Sequence, residues 1–211
     1  MREKEKTTRL IFIRHGKTDF PVDRIYCDDR EDPELNAEGL EHARSAAEFL
    51  QDKIVHAIYA SPSKRTRMTA QAIADMKGMQ LQLVEALKER PFGIWDGLYF
   101  DQIAKKYPNE YQAWKEDPIG FVPEGGESIQ QLAERVSKQI ARLASRHAGQ
   151  TVAVVSHVGP IRVGLSEAMG IPIALYRQLT IDYGSLSCVE FGHKQNNVIF
   201  LNISKNNRLA R

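Results

Sequence analysis

The chain has 211 residues, 42% apolar and 27% charged, with 29 basic against 27 acidic side chains and a net charge of +2. That length suits a single medium-sized α/β domain over residues 1–211 with a substantial core. The balanced charge gives no footing for nucleic acid or an anionic membrane surface.

The N-terminal MREKEKTTRL is charged, and the apolar run that follows, Leu10 to Ile13, is too short for a secretory signal core or a membrane span. A cytoplasmic protein is the expectation. The same short, β-branched run reads as a buried strand that delivers Arg14, His15 and Gly16 to its end. Next, NAEGLEHARSAAEFLQ places Leu40, Ala43, Ala47 and Leu50 at helical spacing behind an Asn36 cap. HAIYAS predicts a second strand. SKRTRMTAQAIADMKG predicts a helix with Thr69, Ala72, Ile73 and Met76 on one face and Gly78 as its stop.

Residues 91–127 are the least regular part of the chain, with Pro91, Pro108, Pro118 and Pro123 among aromatics such as Trp95, Tyr107 and Trp114. Two readings stand side by side: a lid or specificity segment, or a cover packed over the sheet. Regularity returns at Ser128, where a capping box with Gln131 opens a helix whose Ile129, Leu132, Val136, Ile140 and Leu143 make one apolar stripe. TVAVVSH follows as a buried strand. Then comes a helix with Pro160 in its first turn and Gly170 closing it. SLSCVEF and VIFLNIS flank the polar GHKQNN and read as an antiparallel hairpin at a sheet edge. Strands alternating with helices predict a three-layer α/β/α sandwich with a mostly parallel central sheet.

Cys27 and Cys188 lie far apart and form no CxxC pattern, so neither a disulfide framework nor a structural zinc site is expected; Cys188 reads as a small core residue. His42, His56, His147 and His193 show no ligand spacing, and no metal or cofactor is expected.

Three predicted strands end in groups able to handle an anion: Arg14 and His15 after Ile13, Ser61 to Arg65 after Tyr59, and Ser156 and His157 after Val155. In an open parallel sheet such ends share one crevice. Two histidines and two arginines there outline a phosphate site, because a guanidinium fork matches phosphoryl oxygens and an imidazole nitrogen is a competent nucleophile near neutral pH. Taken singly, each has a plainer reading: Arg65 on a solvated basic face, Glu89 as an exposed ion pair between Lys88 and Arg90, His157 as a satisfied core histidine.

The segments RHGKT, ASPSKRTRMTA, LKERPFGIWDG, PEGGES and VVSHVGPIR, in that order, resemble the blocks of the histidine phosphatase superfamily, in the branch that includes cofactor-dependent phosphoglycerate mutase. The resemblance covers nearly the whole chain and implies a phosphoglycerate mutase-like fold. It implies that His15 is the nucleophile, that Arg14, Arg65 and His157 hold the phosphoryl oxygens, and that Glu89 is the acid and base. One departure is Pro21, at a position where the family often has Asn; proline brings neither an amide side chain nor a backbone donor. YCDDRED, beginning at Tyr26, is another, being acidic where a glycine-containing loop is common.

In function, the resemblance implies a metal-independent phosphatase acting on a small phosphorylated metabolite, either α-ribazole phosphate or a broad panel of monoesters. A phosphoglycerate mutase and a non-catalytic phospho-ligand binding module are the alternatives. Neither nucleic acid nor membrane is an expected partner, and the tail hairpin offers an edge for homodimer pairing.

Overall fold

The computed structural model describes residues 6–21, 24–25 and 31–204. Six strands, β1 (Thr8–Arg14), β2 (Ala57–Ala60), β3 (Leu81–Leu83), β4 (Thr151–Ser156), β5 (Leu186–Phe191) and β6 (Asn197–Ile203), form one sheet in the order β3-β2-β4-β1-β5-β6. The first four of that order run parallel, while β5 and β6 are antiparallel to their neighbours. The predicted tail hairpin is thus present at the sheet edge, and β6 leaves Ile199 half exposed there.

Side chains alternate across a strand, and the core divides accordingly. Ile11 and Ile13 of β1 pack with Ile58, Ala153 and Val155 against α1 (Ala37–Leu50) and α2 (Lys64–Lys77). Leu10 and Phe12 pack with Tyr59, Val152 and Val154 against α5 (Ile129–Arg146) and α6 (Val158–Met169). Helices therefore cover both faces, giving the expected three layers. Helix α5 is seated by the five apolar residues read from the sequence, all buried, each contributing about 1.5–3 kcal/mol relative to exposure. Its capping box is present: Ser128 Oγ accepts from Gln131 N at 3.0 Å and Gln131 Oε1 accepts from Ser128 N at 2.8 Å.

The faces of α1 and α2 differ from the sequence expectation. Leu40 is 47% exposed and Met76 42%. On α1 the inner stripe is Gly39, Ala43, Ala46, Ala47 and Leu50. The loop after β1 sets this phase, since a Cβ on Gly39 would lie 2.0 Å from the carbonyl oxygen of Lys17, and only a glycine fits inward there. On α2 the buried face begins with Arg65 and Thr66 and continues through Thr69, Ala70, Ile73 and Ala74. A polar start to an inner stripe signals a polar site beneath it.

Residues 91–127 carry α3 (Phe100–Lys106) and α4 (Pro108–Glu116) and a small apolar cluster of their own. Trp95 and Ile103 are fully buried, with Ile25, Trp114 and Phe121 around them; the Trp95 and Phe121 rings stack at 5.2 Å. Among the described residues no helix is long and apolar enough to cross a membrane.

Candidate active site

The strand order places β2, β4 and β1 side by side, so their C-terminal ends open onto one crevice, and all five residues singled out in the sequence lie around it. Arg14 of β1 pairs with Ser156 of β4, which sets His15 and His157 next to each other, ring centroids 5.2 Å apart. The residue after His15 is glycine for a steric reason: a Cβ on Gly16 would lie 2.3 Å from the carbonyl oxygen of Gly39 at the start of α1. Gly16 N donates to Thr69 Oγ1 at 3.1 Å, which ties the loop to α2. His15 N donates to the Ser156 carbonyl at 3.1 Å. The backbone around His15 is thereby fixed from three elements.

The protonation pattern follows from the partners. His15 Nδ1 lies 2.8 Å from the Gly16 carbonyl oxygen, which can only accept, so Nδ1 carries the proton and Nε2 keeps its lone pair. Arg65 Nε donates to that Nε2 at 3.3 Å. Arg65 Nη2 donates at 2.9 Å to His157 Nδ1, so the His157 proton sits on Nε2 and is donated to Ser61 Oγ at 2.8 Å. Burial, and after it the charges of Arg65 and Arg14, holds His15 well below the usual imidazole range. Burial again leads for His157, followed by Arg65, His15 and Arg14. Both rings are neutral near pH 7, and a neutral imidazole is the nucleophilic form.

The cations differ in character. Arg65 is fully buried, with Nη1 3.7 Å from Asp32 Oδ1. Arg14 donates to the Ile181 carbonyl at 2.7 Å and lies 3.7 Å above the Tyr183 ring, which holds its guanidinium at the crevice wall.

Glu89 stands in the same crevice with both oxygens engaged. Oε2 accepts from Gly159 N at 2.9 Å, in the first turn of α6, and Oε1 accepts from Arg90 N at 2.9 Å. The helix N-terminus suits an anion there. Nothing in the local sequence singles out what holds the Glu89 segment. Arg135 of α5 grips Glu127 with two bonds, at 2.8 and 2.6 Å, and donates to the carbonyls of Ala86 and Lys88 at 3.0 and 2.9 Å. Ser156 Oγ adds a bond to the Leu87 carbonyl at 2.6 Å.

A cavity of about 390 Å³ opens over this group. Phe92 and Phe100, from the 91–127 segment, line it, and so does Pro21. Pro21 offers its carbonyl to Arg24 N at 3.2 Å and no donor to the cavity. The loop from Tyr26 to Arg30, part of the acidic departure, lies outside the described residues, as does Cys27. Among the described residues no group of three or more His, Cys, Asp or Glu side chains is placed to hold a metal ion.

A family model, the histidine phosphatase superfamily (branch 1), matches residues 10–204, from β1 to the end of β6. The chain belongs to the histidine phosphatase superfamily. It is 31% identical over 197 residues to phosphoserine phosphatase 1 of Hydrogenobacter thermophilus, covering 93% of this chain and 92% of that one. It is 28% identical to the adenosylcobalamin/α-ribazole phosphatase of Escherichia coli, with 88% and 91% covered. The native structure of a mycobacterial glucosyl-3-phosphoglycerate phosphatase superposes with a TM-score of 0.82 at 28% identity, covering 94% of this chain and all of that one. These relatives are phosphatases, the phosphoric monoester hydrolases of the superfamily. Within this histidine phosphatase, the matched region holds all five residues around the crevice.

Proposed function

We propose that this histidine phosphatase hydrolyses a small phosphomonoester through a phosphohistidine on His15, without a metal. The observation that carries the reading is the pairing of His15 Nδ1 with the Gly16 carbonyl, which leaves Nε2 unprotonated and facing a buried arginine. Nε2 attacks phosphorus in line with the ester oxygen, the P–O bond breaks, and Glu89, which takes up a proton as the negative phosphate arrives beside it, gives that proton to the departing alkoxide. The resulting Glu89 carboxylate then takes a proton from water as that water attacks phosphorus, breaking the P–N bond and releasing inorganic phosphate.

Arg14, Arg65 and His157 hold the equatorial oxygens, where charge stabilisation and positioning supply most of the rate. His157 is neutral beside Arg65; the negative charge of an arriving phosphoryl group favours its protonation and lets it donate to an oxygen. The substrates named for the relatives, phosphoserine, α-ribazole phosphate and glucosyl-3-phosphoglycerate, are monoesters of alcohols. We place the natural substrate in that class, with α-ribazole phosphate or a broad panel as the starting set and the 91–127 segment as the specificity element.

The test is phosphate release from p-nitrophenyl phosphate near pH 6 with a chelator present, for the native protein and His15→Ala. Activity that survives the chelator and is lost in the variant supports the reading. Equal activity in both proteins removes His15 from the mechanism, and isomerisation of 3-phosphoglycerate outrunning phosphate release would make the enzyme a mutase.

A further inference from the structure

The phosphoryl site accounts for Arg14 and Arg65, but four more arginines line the cavity, Arg24 and a group of three, Arg90, Arg162 and Arg177. None of the three forms an ion pair with a described residue. Arg24, also on the cavity wall, differs, since it is paired to Glu31 through two bonds at 3.2 and 2.7 Å.

Each of the three is held by a neutral group. Arg162, half-buried on α6, donates from Nε to the Leu179 carbonyl at 2.7 Å, and its two terminal nitrogens make no hydrogen bond to a described residue. Arg90 is only 4% exposed, lies 4.2 Å above the Phe92 ring and donates from Nη1 to the Glu127 carbonyl at 3.0 Å. Arg177 donates from Nε to the Tyr176 hydroxyl at 3.3 Å. Glu89 is the one acidic residue among the described residues lining the cavity, and both its oxygens are already engaged by backbone donors. Burial is the largest influence on Arg162 and Arg90 and works against their charged state; Arg177 adds repulsion at both and Arg14 at Arg162, while Glu89 offsets part of this by attracting each. Three cations kept together in a partly dry wall, with the Glu89 carboxylate the one acidic side chain lining it among the described residues, favour a further anion from outside.

We infer that Arg162, supported by Arg90 and Arg177, forms a second anion site, so that the preferred substrate carries a carboxylate close to its phosphoester. The inference rests on the phosphatase reading and narrows its substrate class. Spacing along α6 sets the scale. Gly159, whose N–H holds Glu89, and Arg162 are three residues apart, on one face of the helix and about 4.5 Å apart along its axis. The leaving oxygen meets Glu89, so the acidic group belongs within a few bonds of it, as in a phosphorylated hydroxy acid or amino acid. A guanidinium fork matches a planar carboxylate with two parallel bonds.

Matched substrate pairs test this: O-phospho-L-serine against phosphoethanolamine, and 3-phosphoglycerate against glycerol 3-phosphate, each pair differing by the carboxylate. The native enzyme is expected to favour the acidic member in kcat/KM by roughly ten- to hundredfold, the range of a hydrogen-bonded charged group. Arg162→Gln should collapse that ratio, chiefly through KM, and Arg162→Lys should restore part of it; exposed Arg177→Gln, which poses little risk to folding, should reduce it. A native ratio near one, a preference for carboxylate-free esters such as α-ribazole phosphate, or a ratio untouched by Arg162→Gln overturns the second site while leaving the phosphatase intact. Calorimetric binding of phosphoserine and phosphoethanolamine to the His15→Ala protein reads the same ratio without turnover. A binding preference in a protein whose native form releases no phosphate would sustain the second site and refute the hydrolytic reading.

Discussion

Gly159→Ala is the perturbation that separates the acid role of Glu89 from its structural surroundings. A Cβ at position 159 would lie 2.2 Å from Glu89 Oε1. An ordinary carbon–oxygen approach is about 3.3 Å, so the carboxylate must move by roughly 1 Å and give up its bond to Gly159 N. A displacement of that size at a reacting group costs about a hundredfold, within the range attributed to general acid catalysis. The fold should survive, because the clash is with the end of a flexible side chain. The lost charged hydrogen bond, about 1.5–3 kcal/mol, is partly offset by up to ~1 kcal/mol of helix propensity. The net change of about 0.5–2 kcal/mol lowers Tm by no more than roughly 8 °C.

Leaving-group dependence is the informative assay. p-Nitrophenolate departs without needing a proton, whereas an alkoxide does not. The variant should therefore lose about a hundredfold in kcat on an alkyl phosphate such as glycerol 3-phosphate and far less on p-nitrophenyl phosphate. Equal losses on both esters, or none on either, would refute the assignment of Glu89 as proton donor.

Arg135→Met breaks the grip on Glu127 and on the carbonyls before Glu89. With the Arg135 side chain 24% exposed and that of Glu127 15%, the cost is set at about 2–3 kcal/mol, below the loss for a fully buried pair. Calorimetry should show a Tm lower by roughly 4–12 °C, with a loss of kcat from a loosened Glu89; an unchanged Tm would contradict the clamp. Stability should fall with acid. His15 and His157 are held below the ordinary imidazole value of 6.5, so the unfolded chain binds more protons as pH drops through that value. The stability they carry is present above 6.5 and lost below it, by up to about 1.4 kcal/mol per unit for each ring. Thermal melts between pH 7.5 and 5 should show the decline, and His157→Gln should soften it; a Tm that rises toward pH 5 would contradict the neutral pair. Burial pushes the Cys188 thiol up to about 11, so iodoacetamide at pH 8 should leave the Cys188 peptide unmodified in the native protein and modify it in denaturant, as read by mass spectrometry; labelling in the native state would contradict the burial.

The layers and the crevice were legible because they rest on local signals. Alternating apolar strand residues, the Ser128 capping box and the Gly78 and Gly170 stops all write themselves into short windows of sequence, and three strand ends bearing Arg14, Arg65 and His157 imply a meeting place once the sheet is parallel. The phase of α1 was not legible. Leu40 is the obvious apolar residue, but the inward position belongs to Gly39 because the Lys17 carbonyl passes there, a contact between segments that no window contains. The same limit hid Arg135 and Arg162. Each sits in a helix where an arginine reads as an ordinary solvated charge, and its meaning comes from the carbonyls, the carboxylates or the cavity it faces after folding. The 91–127 segment announced its aromatics but not that Trp95, Trp114 and Phe121 would form a cluster of their own.

The sharpest test of the phosphohistidine route is to trap the enzyme during turnover of a phosphomonoester labelled in its phosphoryl group, by rapid quench, and to locate the label by peptide mapping. The expected result is an acid-labile, alkali-stable phosphoryl group on the peptide containing His15, absent from His15→Ala. Label on any other residue, or steady release of phosphate by the His15→Ala protein, would contradict it.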